Sequence, residues 1–504
     1  KMYSTTLLTG CLRKMDKKGR ILFRADGNGE IGLGHIVRSG ALAAMLRDEW
    51  DCLLFTRCDV QPVMEDAKNN FQQVIPLPVN EDYRTEATDF ITRLTTGDIV
   101  VLDGYNFNTA YQEAIRSTGA ALVCIDDIHN YFFTADMVIN SAGGITPADY
   151  KALPGTQFYL GLPYTLLRKP FLDSALNRQS KPTNNNIFIC LGGADPANDT
   201  LEVLKFLAPL NKFDVFTIVT GAGYRHREAL EDFTRQNKIN AKLLQSLAAE
   251  EMAAVMAGCA FGVCSPSTVS YEYMTVGGIL FLKQIADNQQ DMIRYLTREG
   301  YAFHLKDIEQ VPGADQQRSL EKQALVFDGK AGKRLKDLFQ RLQLSQKISV
   351  RKVTPGDMML CYEWANDPAV RAQSFSSAAI SIENHQQWFE NKLNDTNAFF
   401  YILELKGEPV AQVRLQVSGN EAVISYLMDK QYRSKGLGTA ILSKGIGSFV
   451  NDHNKAIAIT GFVKHDNIAS QKAFEKLNFK KYEAPEYAGS YKYIMHYDGN
   501  QPGQ

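Results

Sequence analysis

Gln431-Tyr432-Arg433-Ser434-Lys435-Gly436-Leu437-Gly438-Thr439-Ala440-Ile441-Leu442 follows an apolar run, residues 422–428, and opens a stretch of good helix formers. Gly436 and Gly438, two apart, let the backbone curl so that successive N–H groups point into one space at the positive end of a helix. A pyrophosphate fits such a cradle, although Gly-Leu-Gly could also serve only as the turn between a strand and a helix. A second pattern follows about thirty residues later. After the strand-like Ile457-Ala458-Ile459-Thr460 comes Asn467-Ile468-Ala469-Ser470, then a helical run through Phe474 to Asn478-Phe479.

The Arg/Gln-x-x-Gly-x-Gly cradle followed by Asn-x-x-Ser resembles the GNAT acetyltransferase superfamily over about residues 348–497. The resemblance implies a GNAT α/β domain with acetyl-CoA as co-substrate. It implies that Arg433, Lys435, Gly436, Leu437, Gly438 and Thr439 form the pyrophosphate cradle. Asn467 and Ser470 would lie along the pantetheine arm, and the strand before the cradle would splay from its neighbour to admit the thioester. Catalysis in that family mainly aligns amine and thioester, with a base for the ammonium proton and often a Tyr for the leaving thiolate. Phe474 stands where that Tyr is common, so the acid is not legible here. Asn478 replaces a usual glycine, a mild change because Asn tolerates the left-handed conformation.

For the amine, Trp364-Ala365-Asn366-Asp367, Ser374-Phe375 and His385-Gln386-Gln387-Trp388-Phe389 resemble the GNAT branch that acetylates amino sugars on nucleotide carriers. His385 and Trp388, three apart, share a helix face. A core tryptophan with a solvent histidine explains them equally. The branch that acetylates protein N-termini has similar patterns, so this unit alone does not name its acceptor.

Upstream, short apolar runs alternate with amphipathic stretches. Strand candidates are 21–23, 52–55, 99–102, 121–125, 187–191, 215–219, 261–264 and 278–282. Runs apolar on both faces, spaced by helix-length segments, indicate parallel strands between helices. The division expected is a leader at 1–18, Rossmann-like domains at 19–176 and 177–328, a linker at 329–347, and the acetyltransferase unit at 348–497. Ligand would sit at the carboxyl ends of the strands, between the two Rossmann-like domains.

Polar and glycine clusters fall where those ends should be. Ile21-Leu22-Phe23-Arg24-Ala25-Asp26 leads through Gly32 and Gly34 to His35 in the first turn of a helix. The glycines permit a substrate to approach the backbone, and an imidazole there that keeps a lone pair can take a proton from water. A capping or packing histidine is the plainer alternative. Asp103-Gly104-Tyr105, Asp126-Asp127, Gly192-Gly193, Ser265-Pro266-Ser267-Thr268, Glu272 and Asp287-Asn288-Gln289 complete the set.

In order and spacing these clusters resemble the UDP-sugar hydrolase of pseudaminic acid synthesis, a relative of MurG-type glycosyltransferases with the GT-B fold. The fold class expected is therefore α/β, a GT-B-like pair of Rossmann-like domains followed by a GNAT domain. The resemblance implies removal of UDP from a 2,4-diacetamido-2,4,6-trideoxy sugar without a metal, with His35 activating water. Tyr105 and Asn288 would flank the sugar. Ser267, Thr268 and the following helix N-terminus would hold the diphosphate, Glu272 the ribose hydroxyls, and Gly192, Gly193 and Gln289 would complete the UDP-sugar site. A bifunctional enzyme follows: N-acetylation of a UDP-amino sugar, then hydrolysis. A GT-B glycosyltransferase, or a non-catalytic nucleotide-sugar module serving the acetyltransferase, remains as an alternative.

Composition narrows the partners. A formal net charge of −1 over 504 residues gives no field for nucleic acid or anionic membrane. No apolar run approaches the ~18–20 residues of a membrane span. Leu8-Thr9-Gly10-Cys11 matches a lipoprotein processing box in letters, but the segment before it is short and polar for a signal. Eight cysteines without a CxxC pair, several in apolar runs, lead us to expect free thiols and a cytoplasmic location.

Overall fold

The computed structural model describes residues 18–27, 32–58, 60–79, 82–153, 155–178 and 184–499; the lipoprotein-like box and most of the expected leader lie outside them. Three sheets organise the chain. The first is parallel throughout, in the order Gln73–Pro76, Trp50–Thr56, Gly19–Ala25, Ile99–Asp103, Ala121–Ile125, Met137–Asn140, Gln157–Leu160. Its central strands are apolar on both faces because helices cover both; Ile99–Asp103 and Ala121–Ile125 are buried at every residue. Strand order reverses between Gly19–Ala25 and Ile99–Asp103, which opens a crevice at their carboxyl ends.

The second sheet is also parallel: Ala241–Gln245, Phe216–Thr220, Ile187–Cys190, Phe261–Cys264, Ile279–Leu282, Phe303–His304. Its reversal lies between Ile187–Cys190 and Phe261–Cys264. Every strand candidate read from the sequence in these two units is a strand.

Two segments pack differently from the expected division. Residues 329–347 contain the 16-residue helix Ala331–Gln346, whose Leu335, Leu338, Phe339 and Leu342 are buried in the core of the first sheet. The spacing i, i+3, i+4, i+7 makes an apolar stripe on an otherwise charged helix, and that stripe docks it. Helix Lys169–Leu176, assigned by sequence to the first unit, places Phe171 and Leu172 in a core of the second.

The third sheet runs Ile348–Lys352, Ala398–Leu405, Glu408–Ser418, Glu421–Met428, Ile457–Lys464, Ser490–Tyr497, Lys480–Glu483. It is antiparallel except where Glu421–Met428 meets Ile457–Lys464. Those two strands pair from Glu421↔Ala458 to Ile424↔Gly461 and no further, so they part toward the cradle as expected. Among the described residues no helix is long and apolar enough to cross a membrane, and the seven described cysteines are buried.

Candidate functional site

Helix Gly34–Leu46 starts at the reversal point of the first sheet. His35, 5% exposed, stands there, and strand Ile99–Asp103 ends beside it on Asp103, which is fully buried. His35 Nδ1 lies 2.8 Å from Asp103 Oδ1. Arg38 Nη2 is also near Nδ1, at 3.1 Å, but its closer partner is the same Asp103 Oδ1, at 2.6 Å. In the neutral ring this contact favours the tautomer in which Nδ1–H donates to Asp103 and Nε2 keeps the lone pair.

Ser39 Oγ donates to Asp103 Oδ2 at 3.0 Å, and Arg38 Nη1 reaches both oxygens of Asp127 at 2.7 Å. Burial would raise the Asp103 carboxyl, but the Arg38 charge and the hydrogen bonds from His35 and Arg38 outweigh it and hold it below the ordinary range. Asp103 is thus an anion that orients the ring and stabilises positive charge forming on it. The Tyr105 ring, 42% exposed, meets His35 edge-on at 4.7 Å. Gly32 takes φ +78°, and among the described residues a Cβ at Gly32 or Gly34 would meet nothing within 4 Å, so a ligand could approach the backbone at these two glycines.

The second unit faces this point. Tyr271 Oη is 3.5 Å from the Ser141 carbonyl, and the Tyr295 ring lies over Gly143, where any Cβ would collide with it. At the second reversal point Gly192 has φ +109°, and the space above Gly192 and Gly193 is empty to 4 Å. Helix Thr268–Val276 begins there with no side-chain cap; Ser267 is half-buried, Thr268 is exposed, and Pro266 is buried below them. That N-terminus is free to take anionic oxygens.

Glu272 on the same helix is 4% exposed, and its Oε1 accepts from Arg168 Nε and Nη2 at 3.0 and 2.7 Å. Burial outweighs Arg168 and raises its carboxyl. A ribose hydroxyl would share this carboxylate with Arg168. Gln289 is not free either: its Oε1 accepts from the Ile285 N–H at 3.0 Å and pins its own loop. Asn288 lies in the turn Asp287–Gln289, with its side chain outside the described part.

In the third unit the residues before helix Gly438–His453 curl through Ser434 at φ +61° and Gly436 at φ +75°. No side chain caps this helix, so its first amides, Leu437 to Thr439, are available. With the parted strands, this geometry fits the pyrophosphate and pantetheine arm of a coenzyme A thioester.

Arg433 also has a structural part. Its Nη1 pairs with Asp367 at 2.7 Å and its Nε donates to the Met428 carbonyl, so it ties the cradle to the rest of the domain. Asn467 caps helix Ile468–Lys476 by accepting from the Ser470 N–H, and Lys435 Nζ lies over the Tyr432 ring. Ser470 Oγ is 2.9 Å from Tyr426 Oη, on the diverging strand, and a Cβ at Gly438 would lie 3.9 Å from that oxygen. Burial raises the Tyr426 phenol, so it keeps its proton at neutral pH. Phe474 is instead a core ring, stacked on Tyr493 at 5.3 Å.

The residues read as acceptor contacts divide. Trp364 Nε1 donates to Asp429, Asn366 exchanges hydrogen bonds with Ile380, and Asp367 caps helix Pro368–Gln373 while holding Arg433. These are struts. His385 is 2% exposed among Tyr362, Trp388 and Phe389, not a solvent histidine.

A signal absent from the sequence reading is Arg414, whose guanidinium lies 4.8 Å from the Trp388 ring centre. Among the described residues no acid pairs with it, and burial lowers its pKa. It stands opposite exposed Ser425 across the strand pair, on the same sheet face as Gln412, whose Oε1 is buried without a partner. An unneutralised cation against an aromatic face suits an anionic, ring-bearing ligand.

Comparison with known proteins agrees with this division. Residues 347–480 match the acetyltransferase (GNAT) domain family. An uncharacterized protein of Methanocaldococcus jannaschii is 23% identical over 489 residues, covering 92% of this chain and 97% of its own. The UDP-2,4-diacetamido-2,4,6-trideoxy-β-L-altropyranose hydrolase of Campylobacter jejuni is 22% identical over 295 residues, 57% of this chain and 99% of its own. The spore coat polysaccharide biosynthesis protein SpsG of Bacillus subtilis is 24% identical over 295 residues, 57% of this chain and 84% of its own. The chain is therefore a fusion in which a GNAT acetyltransferase domain follows a part similar to the UDP-sugar hydrolase and SpsG proteins.

Proposed function

We propose that the chain acetylates the amine of a UDP-linked amino-dideoxy sugar and then releases UDP from the product by hydrolysis. The observation that carries the second step is the His35–Asp103 pair at the reversal point of the first sheet. His35 Nε2 takes a proton from water as the water oxygen bonds to the anomeric carbon. The bond from that carbon to the diphosphate breaks, and its electron pair leaves with UDP. The uncapped helix N-terminus at Thr268 takes up the charge that grows on the departing phosphate. Tyr105, over the His35 ring, walls the sugar, and Gly192 and Gly193 let the nucleotide approach the backbone.

For the first step, the parted strands hold the acetyl donor with its thioester between them, and the acceptor nitrogen attacks the carbonyl carbon. As the C–S bond breaks, Tyr426 Oη donates its proton to the thiolate, the part Phe474 cannot play, and the proton that the nitrogen sheds on becoming an amide passes through water and restores the phenol. Arg414 above Trp388 fits the diphosphate and base of a nucleotide-linked acceptor, and this favours a UDP sugar over a protein N-terminus.

The test is incubation of the full chain with a panel of UDP-amino sugars and acetyl-CoA, followed by mass spectrometry. The expected sequence is a gain of one acetyl group, then UDP and free diacetamido sugar. His35→Asn should stop at the acetylated nucleotide sugar. Unchanged UDP release by His35→Asn would sink the hydrolytic reading, and UDP release that required an added acceptor would favour a glycosyltransferase.

A further inference from the structure

Between the acetyltransferase domain and the rest of the chain lies a small open cleft. It is lined from three sources: Gln157 and Tyr159 of the first sheet, Arg341 and Ser345 of helix Ala331–Gln346, and Gly436 with Lys476 of the acetyltransferase. The helix is outside the GNAT match, yet Arg341 reaches the cradle. A Cβ placed on Gly436 would lie 2.8 Å from Arg341 Cδ and 3.6 Å from its Nη1.

We propose that Arg341 is a phosphate-binding residue of the acetyl-donor site, taking phosphate oxygens of coenzyme A together with Lys476 beside Gly436. Arg341 Nε donates to the Asp337 carbonyl of its own helix. Among the described residues neither of its Nη atoms enters a hydrogen bond or ion pair, and Lys476 has no acid partner.

Two cations brought together with no acid paired to either repel each other, and a bound anion relieves this. The surroundings of Lys476 agree: burial first, then the charges of Arg341 and Lys472, lower its pKa. Asp136 also lines the cleft, but its Oδ2 accepts from the Leu122 N–H. The planar fork of an arginine suits two phosphate oxygens at once. The inference rests on the acetyltransferase domain and not on which amine it acetylates.

Full-length wild type, Arg341→Ala and Arg341→Lys are compared by titration with coenzyme A and with dephospho-coenzyme A. Turnover is measured with acetyl-CoA and with acetyl-pantetheine, which has no phosphate. Arg341→Ala is expected to weaken coenzyme A binding and raise KM for acetyl-CoA by about tenfold or more. Arg341→Lys should recover part of the loss, and KM and kcat for acetyl-pantetheine should not change.

An effect shared by dephospho-coenzyme A locates the contact at the pyrophosphate. An effect confined to coenzyme A locates it at the 3′-phosphate, and either supports the proposal. Equal or tighter coenzyme A binding by Arg341→Ala, or an equal loss with acetyl-pantetheine, overturns it. If wild type itself binds no coenzyme A, the acetyltransferase reading fails instead.

Discussion

At the residue scale the proposed chemistry of the first half would depend on Asp103, which sits 2.8 Å from one nitrogen of His35 and would leave the other as the base. Asp103→Asn keeps the shape but can present a donor to Nδ1 and favour the wrong tautomer. UDP release is expected to fall by about 10²–10⁴-fold with KM little changed, and its pH–rate profile should move. Steady-state kinetics from pH 5.5 to 8.5, with Tm as a folding control, checks this.

His385 makes a different prediction. Burial holds its pKa below the ordinary 6.5, so the unfolded chain binds more protons in the window between the lowered value and 6.5. Stability from keeping the ring neutral is full above pH 6.5 and is lost as pH falls through that window, at about 1.4 kcal/mol for each pH unit. Wild type should therefore lose more stability than His385→Phe between pH 7.5 and 5.5; parallel losses in urea titrations would count against this. The sequence pointed to His35 through its place after a strand and two glycines. It could not show Asp103 as the partner 68 positions away, because nothing local joins them.

At the scale of elements, strands were legible because burial on both faces leaves short continuous apolar runs. Helix Ala331–Gln346 was not, because its stripe of four apolar residues is diluted by lysine, arginine and glutamine. Phe339 on that stripe is fully buried, its ring centre 6.5 Å from that of Trp50. Phe339→Ala should cost about 3–5 kcal/mol in chemical unfolding of the first unit. Because the same helix carries Arg341, it should also weaken binding of coenzyme A. Arg24 is the polar counterpart: fully buried, it pairs with Asp26 at 2.6 Å and Glu86 at 2.5 Å. Arg24→Leu removes the partner these two carboxylates share, leaving Glu86 to Arg57 and Tyr111 and Asp26 to the Arg57 N–H and Tyr83, and should destabilise the first unit by about 3 kcal/mol, read from the same unfolding curves.

For the whole molecule the two proposed activities should separate. Gly143→Val pushes against Tyr295, where the first two units meet, and leaves the acetyltransferase domain untouched. It should slow UDP release at least tenfold while acetylation of the same substrate proceeds at the wild-type rate, both followed by chromatography in one reaction. Equal loss of both would mean that the units work only as one body.

The sequence by itself determined the order of the units, the parallel strands, the glycine cradle and the histidine after the first strand, since each is written in contiguous residues as period, composition or turn. Only the tertiary structure decided which side chains share a space: Asp103 with His35, Asp367 with Arg433, Arg341 with Gly436, Arg414 with Trp388. Those pairings follow from strand order, helix docking and desolvation, which bring together residues too far apart in the chain for any local pattern to record.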